Sequence, residues 1–516
     1  MTDNACRSFH PKSHLESRLQ SKLDQRRHNG TLRTILPVPT LPPISGRGVE
    51  LAPIHRQQRT DFSSNDYLGL ARCPKQLTMV ERSFQSYLNN KINPNNSTTT
   101  HREIVKLGST GSRLLSGNAA LPRSIEANLA FLHNRPDALL CNSGYDANLS
   151  ILSSIPIRGD VVIMDELVHN SLVMGVRMSR VAAGGNNGDV ITFRHNDVRD
   201  LKTKLLNLST SMRMRTGHHL SSREEEGQGR RHASVTEQKD GGSSSVIIVV
   251  ESVYSMDGDI APLAAILKVA LDFGASVIVD EAHGLGVYGK NNSRDLILPE
   301  RQAPQRRQEE NSNEIVPMKD DRIDERGGGL GVLAALGLEN HSAILAVVYT
   351  FGKAAGCHGA VIMASTTVIE YLVNYARPIV YSTSLPPHSL LTIQCAYETM
   401  IGKEGEIRRE KVFRLVHLFR TRLLGLLSSG CDSGSGDGCN SIGSTPSSSC
   451  LLPSPTPIQA VLIPGNKRCM KVADDMRNEG NFDVYAIRSP TVPKGAERIR
   501  IILHFHNDVE EILNMV

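Results

Sequence analysis

Short apolar runs recur through the first three quarters of the chain. They occupy 138–140, 162–164, 246–250, 277–279 and 343–348. Each is rich in Val, Ile or Leu, and stretches with helical spacing separate them. Alternation of this kind predicts βαβ units around a largely parallel sheet, covered by helices on both faces. The pattern runs from about Asp61 to Arg377 and defines a large α/β domain, 61–377. Before it, 1–60 reads as an N-terminal arm, with a charged helical pattern over 15–27. After it, 378–516 reads as a smaller α+β domain. That domain opens near the Pro pair at 386–387 with a long amphipathic helical region to about Leu427. Strands are predicted near 459–463 and 498–503.

Three polar segments break the pattern: 209–245, 290–329 and 428–457. They are rich in Ser, Gly, Pro and mixed charge and show no hydrophobic periodicity. None should bury enough apolar surface to fold alone. They read as surface insertions between elements, which loops tolerate at modest entropic cost.

At 516 residues the chain can bury a large core. A formal net charge of +5 is small for this length and does not point to nucleic acid, although a mild positive bias suits an anionic thioester. Nine cysteines lie without a CxxC pair or a zinc spacing, which argues for a reducing compartment and no metal centre. No apolar stretch approaches the ~18 residues of a membrane span. The first residues have no apolar signal core, and 18–26 nearly match a peroxisomal address but end in Arg. The expectation is cytoplasmic, with a peroxisomal location as the alternative.

Candidate chemistry collects where the apolar runs end. Lys353 stands in a small-residue turn just after the run 343–348. Desolvation there lowers an ammonium pKa and makes a neutral amine available for Schiff-base chemistry. Asp280 closes the run 277–279, at the strand end where open α/β sheets bind ligands. A carboxylate there can pair with a protonated ring nitrogen. His283 follows three residues on and could bond a phenolic ring oxygen. Ser255 lies beyond the run 246–250. Ser143, Gly144 and Tyr145 follow the run 138–140 and would open a helix near Asp146, whose free N–H groups suit a phosphate. His169, beyond the run 162–164, could stack on a planar ring. Taken singly, each residue is equally at home as a cap or a packed side chain.

Together these elements, in this order, resemble the pyridoxal-phosphate enzymes of fold type I. More narrowly the chain is similar to the α-oxoamine synthases, which condense an amino acid with an acyl-CoA and release carbon dioxide. The motifs at 61–70, 108–118, 254–259, 280–289 and 380–387 carry the resemblance, which spans about 33–506. The run 486–501 and Arg488 are most similar to the branch that joins L-alanine to a pimeloyl thioester in biotin ring assembly. Glycine or serine with another acyl-CoA is the alternative, as is a catalytically silent relative acting through binding.

The resemblance implies pyridoxal 5'-phosphate as cofactor and a homodimer, with no nucleic-acid partner. It implies that Lys353 holds the cofactor and acts as base, that Asp280 holds the ring nitrogen and that His169 stacks on the ring. Ser255 and His283 would serve the ring-oxygen side. Ser143, Gly144, Tyr145 and Thr350 would hold the phosphate, with Thr383 reaching it across the dimer. Arg500 would clamp the amino-acid carboxylate, Arg33, Arg488 and Thr491 would meet the acyl substrate, and Asn65 would line the channel. The chain departs from the family in four places. Pro122 stands where relatives place a His, Cys357 and His358 replace smaller residues, and the tail after Arg500 is one residue short. Asp280 and Lys353 are 73 positions apart, a gap much wider than in relatives.

Overall fold

The computed structural model describes residues 11–29, 31–32, 59–92, 107–181, 190–217, 244–289, 328–429 and 450–516. Arg33 and most of the three polar segments lie outside these. Twelve strands are described: β1 Thr60–Asp61, β2 Asp137–Cys141, β3 Val161–Asp165, β4 Val190–Phe193, β5 Val246–Glu251, β6 Ser276–Asp280, β7 Ile344–Thr350, β8 Ala360–Ala364, β9 Ile458–Leu462, β10 Phe482–Asp483, β11 Tyr485–Ile487 and β12 Arg498–Ile502.

Seven of them form the main sheet in the order β2-β8-β7-β6-β5-β3-β4. Only β8 runs against its neighbours; the pairs β7-β6, β6-β5, β5-β3 and β3-β4 are parallel. The central strands are apolar at nearly every position because helices cover both faces. Val277, Ile278 and Val279 are fully buried, as are Ile248, Val249 and Val250. Parallel pairing sends β3, β5, β6 and β7 to the same edge of the sheet. Their C-terminal tips therefore stand side by side, and this is what assembles the site.

A second core gathers Phe62, Val412, Phe419, Cys469, Val484, Ile499, Ile501 and Ile512 around the antiparallel sheet β11-β12-β9. β1 pairs with β10, so the 60–62 segment belongs to this core although it lies far away in sequence. The strap that follows runs back to the main sheet.

Several local expectations shift. The long helical region is two helices, Pro387–Ile401 and Lys403–Ser429, broken at Gly402. The helix Val198–Gly217 carries on into the first polar segment. In the third, Ser454 and Thr456 are buried, because Ser454 Oγ sits 2.7 Å from both Gly258 O and Ile458 O. Pro122 falls in the first turn of the helix Ala120–Leu132, where a missing N–H costs nothing. No described helix is long and apolar enough to cross a membrane.

Candidate active site

Lys353 lies three residues beyond the tip of β7. Among the described residues no hydrogen bond or ion pair holds its ammonium. Burial lowers its pKa, the charges of Asp280 and Glu251 oppose that shift, and Arg500 adds to it. The amine is thus biased toward the neutral, nucleophilic form.

Asp280 ends β6 and is buried. Its Oδ1 accepts the Ala282 N–H at 2.8 Å, and its Oδ2 accepts Asn148 Nδ2 at 2.7 Å. The other Asn148 Nδ2 hydrogen goes to Ser171 Oγ at 2.9 Å. The Ser171 hydroxyl lies 2.7 Å from His169 Nδ1, which also accepts the Ser171 backbone N–H. Nδ1 is therefore the unprotonated nitrogen, and His169 keeps its hydrogen on Nε2. Burial holds this imidazole below its ordinary pKa, the charge of Lys353 adds to that shift, and Asp280 opposes it. One relay thus fixes the carboxylate and the histidine together.

Glu251, the register partner of Asp280 at the tip of β5, accepts the His169 backbone N–H. Burial and then the Asp280 charge push its carboxyl well above the usual range. His283 is buried, and its Nδ1 lies 2.6 Å from Tyr67 Oη. Burial keeps His283 well below its ordinary pKa, and the charges of Lys353, Arg500 and His169 reinforce this.

The helix Gly144–Ser154 opens at Gly144, two residues earlier than the sequence suggests. Ser143 caps it: Ser143 Oγ accepts the Asp146 N–H at 3.1 Å. A Cβ on Gly144 would run into Thr350 Oγ1, so glycine alone allows this close approach. The first turn of this helix and the Thr350 hydroxyl therefore stand directly together. Tyr145 is exposed. Asn142 Nδ2 donates to the Thr383 carbonyl at 2.9 Å, which ties the exposed Thr383 to the same turn.

Arg500, on β12, donates from Nη2 to Asn65 Oδ1 at 2.8 Å, and its Nε is buried without a partner. Asn148 Oδ1 is likewise buried without a partner. Ser255 sits in a turn four residues past the tip of β5 and makes no hydrogen bond to the cluster among the described residues. Arg488 and Thr491 follow β11. Tyr485 pairs with Arg500, so strand spacing puts Arg488 roughly 10 Å further along the sheet. Arg488 packs on Met470.

Sequence reasoning left Asn148, Ser171, Glu251 and Tyr67 without a role. Tyr67 lies inside the 61–70 motif. Asn148 is a polar residue on the buried face of a helix, four positions after Gly144, and that was the available signal.

A lysine and a carboxylate at neighbouring tips of a mostly parallel sheet, beside the start of a helix, define a fold type I pyridoxal-phosphate enzyme. Residues 58–516 match the family described as aminotransferase class I and II. The 8-amino-7-oxononanoate synthase of Emericella nidulans is 32% identical over 88% of this chain and 86% of its own length. That of Paraburkholderia phymatum is 31% identical over 87% and 86%. Among solved structures, the serine palmitoyltransferase of Sphingomonas wittichii superposes with a TM-score of 0.59, at 22% identity over 89% of this chain and 85% of its own. The 8-amino-7-oxononanoate synthase of Francisella tularensis gives 0.55, at 20% identity over 89% and 96%. The chain belongs to the aminotransferase class I and II family and, within it, to the α-oxoamine synthases.

Proposed function

We propose that this enzyme condenses L-alanine with a pimeloyl thioester, giving 8-amino-7-oxononanoate and releasing carbon dioxide and the carrier thiol, CoA where pimeloyl-CoA is the donor. The observation that carries the reading is Lys353, half-buried and without a hydrogen bond or ion pair among the described residues, in the field of Asp280 and within reach of the charge of Arg500. The curated relatives that match over most of their length support the substrate pair.

Bound pyridoxal phosphate supplies an aldehyde for the amine and a ring that accepts electrons released at carbon. The residues present fit it: the helix start at Gly144, beside the Thr350 hydroxyl, suits a phosphate, and Asp280 suits a protonated ring nitrogen. Ser143, Gly144, Tyr145 and Thr350 would hold the phosphate end. His283 and Ser255 would serve the ring-oxygen side, and His169 would present Nε2–H to the ring face. Lys353 Nζ moves the proton at the amino-acid Cα. Arg500 holds the α-carboxylate, for which a guanidinium offers two parallel donors. Asn65 fixes that guanidinium from the other side. Arg488, Thr491 and Arg33 would meet the acyl chain or its carrier.

A homodimer is part of the proposal. Leu114, Leu115 and Tyr381 are exposed on the two segments tied together by the Ser384 N–H on Gly111 O, beside the Asn142 turn. Exposed apolar side chains there suit an interface. It would bring Thr383 to the partner subunit's phosphate site. The six cysteines among the described residues are all unpaired, which fits a reducing compartment, and we place the enzyme in the cytoplasm.

The test is an assay of thiol release from a panel of amino acids and acyl thioesters. L-Alanine with pimeloyl-CoA or a pimeloyl carrier should give the highest kcat/KM. Preference for glycine or serine with another acyl-CoA would replace this reading with another α-oxoamine synthase.

A further inference from the structure

Away from the lysine, a second charged cluster joins the two cores. His195 follows β4, and each of its ring nitrogens faces a carboxylate. Nδ1 is 2.9 Å from Asp165 Oδ1 at the tip of β3, and Nε2 is 2.7 Å from Asp259 Oδ2. Its backbone N–H donates to Glu166 Oε1 at 3.0 Å, and its ring meets Tyr254 edge-on at 4.4 Å. With an acceptor at both nitrogens, both carry hydrogen, so the ring is an imidazolium. Burial works against that charge, but the bonds to Asp165 and Asp259 outweigh it and raise the pKa to about 10.

Asp259 belongs to a tight loop that also carries Ser255 and Asp257. The loop is closed by the Tyr254 N–H on Asp259 O and the Gly258 N–H on Tyr254 O. Asn196 Nδ2 adds a second donor to Asp259 at 2.7 Å. On its far side Gly258, at φ +75, lies so close to Ile458 O that a Cβ would collide with it. Asp257 makes a short ion pair with Arg498. Arg498 and Arg500 are two positions apart on β12, and side chains at that spacing share a face, roughly 7 Å apart. The chain of contacts runs from the tip of β3 through His195 and the loop to the strand that bears Arg500.

We infer that His195 is a positioning residue: it locks the 254–259 loop so that Asp257 holds Arg498, and with it Arg500, at a fixed distance from Lys353. This rests on the reading of Arg500 as the carboxylate clamp.

The experiment titrates the holoenzyme with whichever of L-alanine, glycine or L-serine gives a saturable change in visible absorbance. The amino-acid Kd is read for His195→Gln, Asp257→Asn, the double variant and Arg500→Gln, beside the cofactor Kd and the KM for the acyl thioester. His195→Gln and Asp257→Asn should each raise the amino-acid Kd roughly tenfold, the scale of one charged hydrogen bond. The cofactor Kd and acyl KM should hold within about twofold. The double variant should be no worse than the worse single, because both cut one path. An unchanged amino-acid Kd, or all three constants moving together, overturns the inference. If Arg500→Gln raises the amino-acid Kd while His195→Gln does not, the inference alone fails. If Arg500→Gln has no effect, the clamp reading fails with it. Should His195→Gln not fold, the half-buried Asp257→Asn decides by the same readings.

Discussion

Asn148 Nδ2 donates to Asp280 Oδ2 at 2.7 Å and so orients the carboxylate at the centre of the site. The same amide reaches Ser171, which in turn fixes His169. Asn148→Ala should therefore weaken cofactor binding by roughly 10–100-fold, the value of one hydrogen bond to a charged group. Cofactor titration followed by absorbance measures it. An unchanged affinity would remove the relay from the account.

Gly144 approaches Thr350 more closely than any side chain allows. Gly144→Ala should crowd Thr350 and lower cofactor affinity by about tenfold or more, while the fold survives. Thr350→Ser on the alanine background frees space and should recover part of the loss. If Gly144→Ala binds the cofactor normally, the phosphate lies elsewhere.

His195 has a folded pKa of about 10 against an ordinary 6.5. Between these values the folded chain keeps a proton that the unfolded chain releases. Its contribution is complete below pH 6.5 and is lost as pH rises through about 10. Unfolding midpoints across that window should fall more steeply for the native protein than for His195→Gln. Parallel slopes would mean that the imidazole is not charged in the fold.

The ends of the 290–327 segment are held together. Leu285 bridges Leu330, the Gly286 N–H donates to Gly329 O at 2.7 Å, and the Gly331 N–H donates to Tyr288 O at 2.8 Å. Glu281 completes the clamp by accepting the Val332 and Leu333 N–H groups. Replacing 290–327 with a short Gly/Ser linker should leave kcat/KM within about twofold, since loop length costs little once the ends are fixed. A large loss would give that segment a role in the site.

The main sheet was legible because its strands are nearly continuous β-branched runs, which only a doubly covered parallel sheet requires. Lys353, Asp280, His169 and His283 were legible because they follow those runs at strand tips. Polar residues on buried helix faces carry no such mark, so Asn148 and Ser171 went without a role. Tyr67 was hidden inside a motif read only for likeness. The 450–457 stretch is irregular as its composition predicts but not a surface insertion, because composition cannot show that Ser454 and Thr456 find buried partners. Gly402 splits a helical region that periodicity alone runs together. The strap 60–67 joins elements more than 400 positions apart, and no local pattern announces that: Ser64 Oγ meets His504 Nε2 at 3.1 Å, and Asn65 meets Arg500.

The most direct test is borohydride reduction of the holoenzyme, followed by peptide mass analysis. The account predicts a pyridoxal-phosphate adduct on the peptide containing Lys353, together with loss of both adduct and visible absorbance in Lys353→Ala. An adduct on any other lysine, or a chromophore that survives Lys353→Ala, would contradict it.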